Sequence, residues 1–149
     1  MILDFFAREM ANTLSPLFTE EKDKYVITFA PRSRRAIRQD GFDHMELLAK
    51  RVAKLLSVSF MKTLDRRGGK EQKRLSRKER FLNMKDAYAP KKGVLLHGKR
   101  VIVLDDITTS GATLLSVVSA LRRTGARGVK VAVLGATPLY VRHAEKKRR

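Results

Sequence analysis

Residues 101–113, VIVLDDITTSGAT, are the feature that most constrains the fold of this chain. The first four are wholly apolar, which is typical of a parallel strand covered on both faces. After a polar loop, residues 112–124 have the pattern of a helix that ends at Gly125, and residues 129–134 form the next predicted strand. Strand, helix and strand in this order make a βαβ unit. The predicted fold class is therefore α/β, with a mostly parallel sheet flanked by helices.

The polar loop of this stretch has the chemistry of an anion site. It follows a buried strand, so it lies at the carboxyl edge of the sheet, where ligands of α/β proteins bind. Gly111 allows close approach of the backbone, and the first amides of the helix point outward. The hydroxyl groups of Thr109, Ser110 and Thr113 add donors for a phosphate. The carboxylates of Asp105 and Asp106 can accept hydrogen bonds from vicinal hydroxyls of a ligand. The alternative is an acidic turn followed by an ordinary helix N-cap.

Three elements are predicted before this unit. Apolar residues at helical spacing over residues 2–14 predict a helix that stops before Pro16. Residues 25–30 form an apolar run that predicts a strand entering a loop at Pro31. Asp43, with Glu46 three residues later, predicts a capping box and a helix with one apolar face, made by Leu47, Leu48, Arg51, Val52, Leu55 and Leu56.

The segment between these elements and the βαβ unit is less regular. Residues 58–64 are compatible with a strand, and residues 87–96 with a hairpin or irregular strands. Residues 66–80 are basic, contain Gly68 and Gly69, and predict a long mobile loop that grades into a short helix. A salt-bridged surface helix is the alternative for the end of this segment.

Length and composition set the outer limits. The 149 residues suit one domain, with a helix and linker over residues 1–24 and a basic tail over 142–149. The absence of cysteine excludes disulfides and cysteine-ligated metals, and the three histidines lack metal-ligand spacing. No apolar run reaches the length of a membrane span and the first residues do not resemble a signal peptide, so we expect a cytoplasmic protein.

A net charge of +18 predicts an affinity for polyanions or phosphorylated ligands. Part of the charge follows the first predicted strand, in the cluster Arg32, Arg34, Arg35 and Arg38. A second part lies in residues 62–85, which hold ten Lys or Arg against three acids. The alternative for each run is a solvated face, and for the tail a frayed end.

As a whole string, residues 101–113 resemble the phosphoribosyl pyrophosphate (PRPP) signature of type I phosphoribosyltransferases. The resemblance implies that Thr109, Ser110, Gly111, Ala112 and Thr113 wrap the 5-phosphate of PRPP. It implies that Asp105 and Asp106 contact the ribose hydroxyls, that Mg²⁺ is held mainly by the ligand and indirectly by this pair, and that Asp105, Asp106 and Thr109 are the catalytic positions. Thr109 stands where purine-salvage members have an acidic base, which disfavours a purine acceptor.

A narrower resemblance, to the ComF family of competence-associated phosphoribosyltransferase-like proteins, covers about residues 30–134. It is carried by Ala30-Pro31, the arginine cluster, residues 38–43 (RQDGFD), the helix at residues 46–49, and residues 72–80 (QKRLSRKER) with Asn83. Asp40 and Asp43 stand where the family usually has Arg and Asn, and the frequent N-terminal cysteine zinc module is absent.

These resemblances imply a shared partner for both internal basic runs. The loop after the first core strand would bind the pyrophosphate of PRPP through Pro31, Arg32, Ser33, Arg34 and Arg35, since amides and guanidinium groups suit that anion. Residues 66–80 would close over the site and bring the basic side chains of Arg74, Arg77 and Arg80 to the leaving pyrophosphate while excluding water.

The expected reaction is displacement of pyrophosphate at the anomeric carbon of PRPP, with an acceptor that the sequence does not name. Two alternatives stay open. One is a non-catalytic module that binds single-stranded DNA or another polyanion during DNA uptake, although few of the aromatic residues lie within the basic runs where stacking would need them. The other is a PRPP-sensing regulator. A homodimer is a further assembly to be tested.

Overall fold

Four α-helices and six strands are defined within residues 2–18, 21–67, 87–108 and 112–136, which this computed structural model describes. The helices are α1 (Ile2–Leu14), α2 (Arg34–Asp40), α3 (His44–Leu56) and α4 (Ala112–Arg122). The strands are β1 (Tyr25–Phe29), β2 (Ser59–Phe60), β3 (Leu64–Arg66), β4 (Tyr88–Pro90), β5 (Arg100–Thr108) and β6 (Gly128–Ala136). Short 3₁₀ turns cover Ser15–Leu17 and Lys22–Lys24.

The apolar run that opens the predicted βαβ unit lies inside a four-stranded parallel sheet of order β2-β1-β5-β6. Strand β5 is hydrogen-bonded to β1 on one side and to β6 on the other, with Ile27 opposite Ile102 and Val103 opposite Val131. Each of the four apolar residues that start with Val101 is at most 1% exposed, because helices cover both faces. The prediction of an α/β fold with a mostly parallel sheet is confirmed.

Helices α1 and α3 cover one face of this sheet. Side chains that alternate along a strand point to opposite faces, so Ile27 and Ile102 join the core with α1 and α3, whereas Val26 and Val101 join the core with α4. The buried residues of α1 are Ala7, Met10, Ala11 and Leu14, as its helical spacing predicted.

The buried face of α3 differs in part from the predicted one. Leu48, Val52 and Leu56 are buried as expected, but Leu47 is 38% exposed and Leu55 is 53% exposed. The alanines at positions 49 and 53 are buried instead, since α3 packs against α1 as well as against the sheet, and small residues allow that second approach. The prediction that Leu47 and Leu55 belong to the packed face was therefore wrong.

A small antiparallel pair, β3 and β4, stands beside the main sheet. The single strand predicted over residues 58–64 is split, because Phe60 pairs with β1 while Leu64 pairs with Pro90 of β4. At the break, the buried hydroxyls of Thr28 and Thr63 lie 2.8 Å apart in a hydrogen bond. Of the predicted mobile loop, only residues 66 and 67 are described, and the basic tail over residues 142–149 also lies outside the described residues.

Helix α2 was not predicted from the sequence. Ser33 precedes it, and the Ser33 hydroxyl oxygen accepts from the Ala36 amide at 3.2 Å. Gly41 ends it with a φ of 78°, a left-handed conformation that glycine adopts without steric cost. The residues in between carry few apolar side chains, so the helix depends on its two ends.

Helix α4 ends before Gly125, as predicted. Gly125 has a φ of 83°, and a Cβ atom placed there would lie 2.4 Å from His97 Nδ1. The position therefore requires glycine for both conformation and space. None of the helices within the described residues is both long enough and apolar enough to cross a membrane.

Candidate functional site

A cleft of about 220 Å³ lies at the carboxyl edge of the sheet, where β1 and β5 end side by side. Because the two strands are parallel neighbours, the segments that follow them meet there. The lining residues are Ala30, Pro31, Arg32, Ser33, Ala36, Arg66, Tyr88, Asp105, Asp106 and Thr113. The cleft thus brings together three residues of the predicted pyrophosphate loop and three of the predicted PRPP-binding stretch.

The loop after β1 is held at both of its ends. The Ala30 amide donates to the Leu104 carbonyl at 3.1 Å, which continues the β1–β5 ladder past the end of β1. The Arg32 amide donates to Asp43 Oδ2 at 3.0 Å, and Asp43 Oδ1 accepts from the Met45 amide at 3.0 Å. One buried carboxylate therefore caps α3 and fixes the loop.

Asp43 supports the cleft without lining it, and the sequence predicted only part of its role. The predicted N-cap role is confirmed, since Asp43 is the N-cap of α3. The reciprocal half of the capping box is not seen, because the Glu46 carboxylate pairs with Lys50 at 2.7 Å and with Lys62 at 2.8 Å. The link from Asp43 to the loop carries no local sequence signal, since it joins residues eleven positions apart.

The predicted arginine cluster is divided between loop and helix. Pro31, Arg32 and Ser33 line the cleft, whereas Arg34 and Arg35 are exposed on the first turn of α2. The Arg32 guanidinium donates to Asp40 Oδ2 at 2.6 Å, and this hydrogen bond raises the pKa of Arg32 and lowers that of Asp40. Both groups are partly exposed, so the pair contributes little to stability.

Asp105 and Asp106 differ in their surroundings although they are adjacent. Asp105 is 9% exposed, and burial raises its pKa from 3.8 to about 6. Asp105 Oδ1 accepts from the Asp106 amide at 2.9 Å, which counteracts part of that rise, while the Asp106 charge adds to it. Asp106 is exposed at the rim. The pair presents one buried carboxylate with a raised pKa and one carboxylate that faces solvent.

Arg66 and Tyr88 complete the cleft from the β3–β4 pair. The two residues lie opposite each other in the ladder, and the Arg66 guanidinium stands 5.7 Å from the centre of the Tyr88 ring. The Tyr88 amide donates to Ser116 Oγ at 3.1 Å, which ties β4 to α4. Burial raises the pKa of the Tyr88 phenol. The sequence marked Arg66 only as the start of a basic segment. It indicated Tyr88 only as a core aromatic residue near the basic runs, because the place of Tyr88 in the cleft depends on strand pairing.

Several predicted site residues lie outside the described part of the chain. Thr109, Ser110 and Gly111 of the phosphate loop are among them, as are Arg74, Arg77 and Arg80 of the predicted mobile loop. Ala112 is the first residue of α4, and Thr113 reaches the cleft. No group of three or more His, Asp or Glu side chains that could hold a metal ion occurs within the described ranges.

The chain is similar in sequence to known proteins. The family model described as phosphoribosyl transferase domain matches residues 46–148 of this chain. The adenine phosphoribosyltransferase of Mycolicibacterium paratuberculosis is 32% identical over 127 residues, which cover 81% of this chain and 69% of that protein.

Solved structures agree on the fold. The purine phosphoribosyltransferase of Pyrococcus horikoshii superposes with a TM-score of 0.56 at 22% identity, covering 91% of this chain and 74% of that one. A hypoxanthine phosphoribosyltransferase of Staphylococcus aureus superposes with a TM-score of 0.58 at 13% identity, covering 92% of this chain and 64% of that one. The sheet and its flanking helices have the type I phosphoribosyltransferase fold, and this chain belongs to the phosphoribosyl transferase domain family.

Proposed function

We propose that this protein binds PRPP in the cleft at the carboxyl edge of the sheet and displaces its pyrophosphate at the anomeric carbon. The observation that carries the proposal is the meeting of two separately predicted segments, the loop after β1 and the acidic end of β5, in one cleft. The family match supports the same ligand. A phosphate loop alone would be compatible with many ligands, whereas this pairing suits one with phosphate at both ends of a ribose.

The roles follow from the chemistry of each group. Thr109, Ser110, Gly111, Ala112 and Thr113 would hold the 5-phosphate, and Asp105 and Asp106 would accept hydrogen bonds from the ribose hydroxyls. The loop that begins at Pro31 would bind pyrophosphate, with Arg32 and Ser33 nearer to it than Arg34 and Arg35. Arg66 adds a further cation to the cleft lining. Residues 66–80, including Arg74, Arg77 and Arg80, would close the site and exclude water.

The residues at the cleft fit a Mg²⁺ ion that binds together with PRPP and is held mainly by it. Magnesium is commonly held by one or two carboxylates together with phosphate oxygens, and the described part of the cleft offers two carboxylates and no larger set. Bound with PRPP, the ion would neutralise charge that develops on the departing pyrophosphate. Asp105 and Asp106 would contact it indirectly, through the ribose hydroxyls they orient.

The acceptor and the cellular role are finer proposals. The similarity to an adenine phosphoribosyltransferase makes adenine the first acceptor to test, while Thr109 in place of an acidic base argues against purines. The ComF resemblance supports a cytoplasmic protein with a role linked to DNA uptake. The alternatives to a transferase are a module that binds single-stranded DNA and a PRPP-sensing regulator. Either of these could act as a homodimer.

Calorimetric titration with PRPP and Mg²⁺ tests the ligand. We expect binding to the parent chain and a loss of at least about tenfold in affinity for Asp105→Asn/Asp106→Asn, because two charged acceptors for ribose hydroxyls are removed. Asp65→Asn is the matched control, since that exposed carboxylate lies outside the cleft lining. Absence of binding to the parent chain would overturn the proposal.

Pyrophosphate release in the presence of adenine, other purines, pyrimidines and small amines tests turnover. Release that depends on one acceptor would establish a transferase and name its substrate. PRPP binding without acceptor-stimulated release would favour the regulator. Binding of single-stranded DNA with a steep salt dependence, weakened when the cations of residues 66–80 are neutralised, would favour the nucleic-acid module.

A further inference from the structure

A second cavity, of about 450 Å³, lies at the amino edge of the sheet. Its lining includes Tyr25, Arg100 and Gly128, which are the first residues of β1, β5 and β6. Asp105 of the PRPP cleft follows Arg100 by five residues in an extended strand, a separation of about 16 Å. The cavity is therefore separate from the cleft that carries the proposed function.

Three cations line this cavity: Arg100, Arg127 and Lys130. None of the three makes a salt bridge with a carboxylate of residues 2–18, 21–67, 87–108 or 112–136. The charges of Arg100 and Arg127 lower the pKa of Glu21, but less than the hydrogen bond that Glu21 accepts from Lys24. Glu21 is thus already engaged, and the cavity keeps a net positive charge.

Arg100 is held in place without being neutralised. Its Nη1 donates to the Tyr25 hydroxyl at 3.3 Å, and its guanidinium stands 5.5 Å from the centre of the Tyr25 ring. The Tyr25 ring in turn packs edge-on against Phe18 at 4.7 Å. A guanidinium has five N–H donors, so one bond to a phenol leaves a fork free for a phosphate.

The other strand residues at this cavity add little surface of their own. Val101 and Ile102 are each 1% exposed, and Val129 is partly buried beside them. The volume lies within the range of roughly 300–1,000 Å³ that is usual for small-molecule sites. A ligand that fits must carry several negative charges for the three cations.

We propose that this cavity binds a nucleoside di- or triphosphate through its phosphates, which contact Arg100, Arg127 and Lys130. The site goes beyond the proposed function and does not depend on PRPP binding. A small ligand is favoured over single-stranded nucleic acid, because a polymer would need exposed aromatic rings for stacking, and Tyr25 is 8% exposed.

Isothermal titration with ATP, GTP and inorganic tripolyphosphate tests the site. We expect nucleotide binding to the parent chain, unchanged in Asp105→Asn/Asp106→Asn and at least about tenfold weaker in Arg127→Ala/Lys130→Ala, since two charge-assisted contacts are lost. Arg122→Ala/Arg123→Ala is the matched control, because it removes two exposed charges outside the cavity lining. Arg127→Lys/Lys130→Arg should retain binding and shows that the alanine variant fails for lack of charge rather than of folding.

The other outcomes are equally decisive. Nucleotide binding that disappears with the two aspartates and survives the loss of Arg127 and Lys130 would assign the ligand to the PRPP cleft and overturn the proposal. So would the absence of binding at millimolar nucleotide. Tighter binding of an oligothymidylate of about 15 nucleotides than of ATP, through the same cations, would replace the small ligand with nucleic acid.

Discussion

Replacing Asp105 by Asn should stabilise the protein while it disables the cleft. Burial raises the pKa of Asp105 from 3.8 to about 6. At about 1.36 kcal/mol per pKa unit, holding this carboxylate ionised in the folded chain costs roughly 3 kcal/mol at neutral pH. Asn is neutral, and its side-chain oxygen can still accept from the Asp106 amide as Asp105 does now.

The sign of the pH dependence follows from the direction of the shift. The folded chain binds this proton more tightly than the unfolded chain, so the associated stability is complete below the unfolded pKa of 3.8 and is lost as the pH rises through about 6. The free energy of unfolding of Asp105→Asn should therefore exceed that of the parent by up to roughly 3 kcal/mol at pH 7. The difference should shrink towards zero near pH 4.

Urea unfolding at intervals from about pH 4 to pH 8 measures this difference directly. Asp65→Asn serves as the control, because its exposed carboxylate should leave both the stability and its pH dependence close to those of the parent. The reasoning fails if Asp105→Asn is no more stable than the parent at pH 7, or if the two variants show the same change. A stabilised variant that no longer binds PRPP would show that Asp105 lowers the stability of the fold while it contributes to binding.

Three further substitutions test the framework around the cleft. Asp43→Ala should lower the free energy of unfolding by about 1–3 kcal/mol and weaken PRPP binding, because two backbone amides lose their acceptor, whereas Asp43→Asn should lose less; equal losses in urea unfolding would contradict this. Thr28→Val should cost about 1–3 kcal/mol by leaving the buried Thr63 hydroxyl without its partner, and Thr28→Val/Thr63→Val should recover part of it. A double-mutant cycle without coupling would exclude that pairing. Gly125→Ala should lower the free energy of unfolding by at least about 1 kcal/mol, because the position has a positive φ and the new Cβ meets His97. The double variant Gly125→Ala/His97→Ala should recover part of this loss, and an unchanged melting temperature of Gly125→Ala would contradict the prediction.

The central part of the fold could be predicted because its signals are local. The apolar run at the start of residues 101–113 is typical of a strand covered on both faces, and the glycine at position 125 marks the end of the helix that follows. The opening helix was predicted from the spacing of its apolar residues, and the strand at residues 25–29 from an apolar run that ends before Pro31. Each of these predictions depends on residues that are close together in the sequence.

What the sequence did not reveal depends on packing or on distant partners. Leu47 and Leu55 fit the apolar stripe predicted for α3, but α1 packs against the face of α3 that carries the two alanines. Helix α2 has little apolar pattern, although Ser33 before it and Gly41 after it are end signals that could have identified it. Tyr88 enters the cleft only because β4 pairs with β3, and a pairing between residues more than twenty positions apart leaves no local trace.

The hydrogen bond from the Ala30 amide to the Leu104 carbonyl has a consequence for the kinetics of ligand capture. It joins the start of the cleft loop to the residue just before Asp105, so the two halves of the cleft share one backbone frame. Their relative position is settled when the chain folds, and little conformational entropy is lost later in aligning them. A ligand that contacts both halves should therefore associate without a prior rearrangement of the loop after β1.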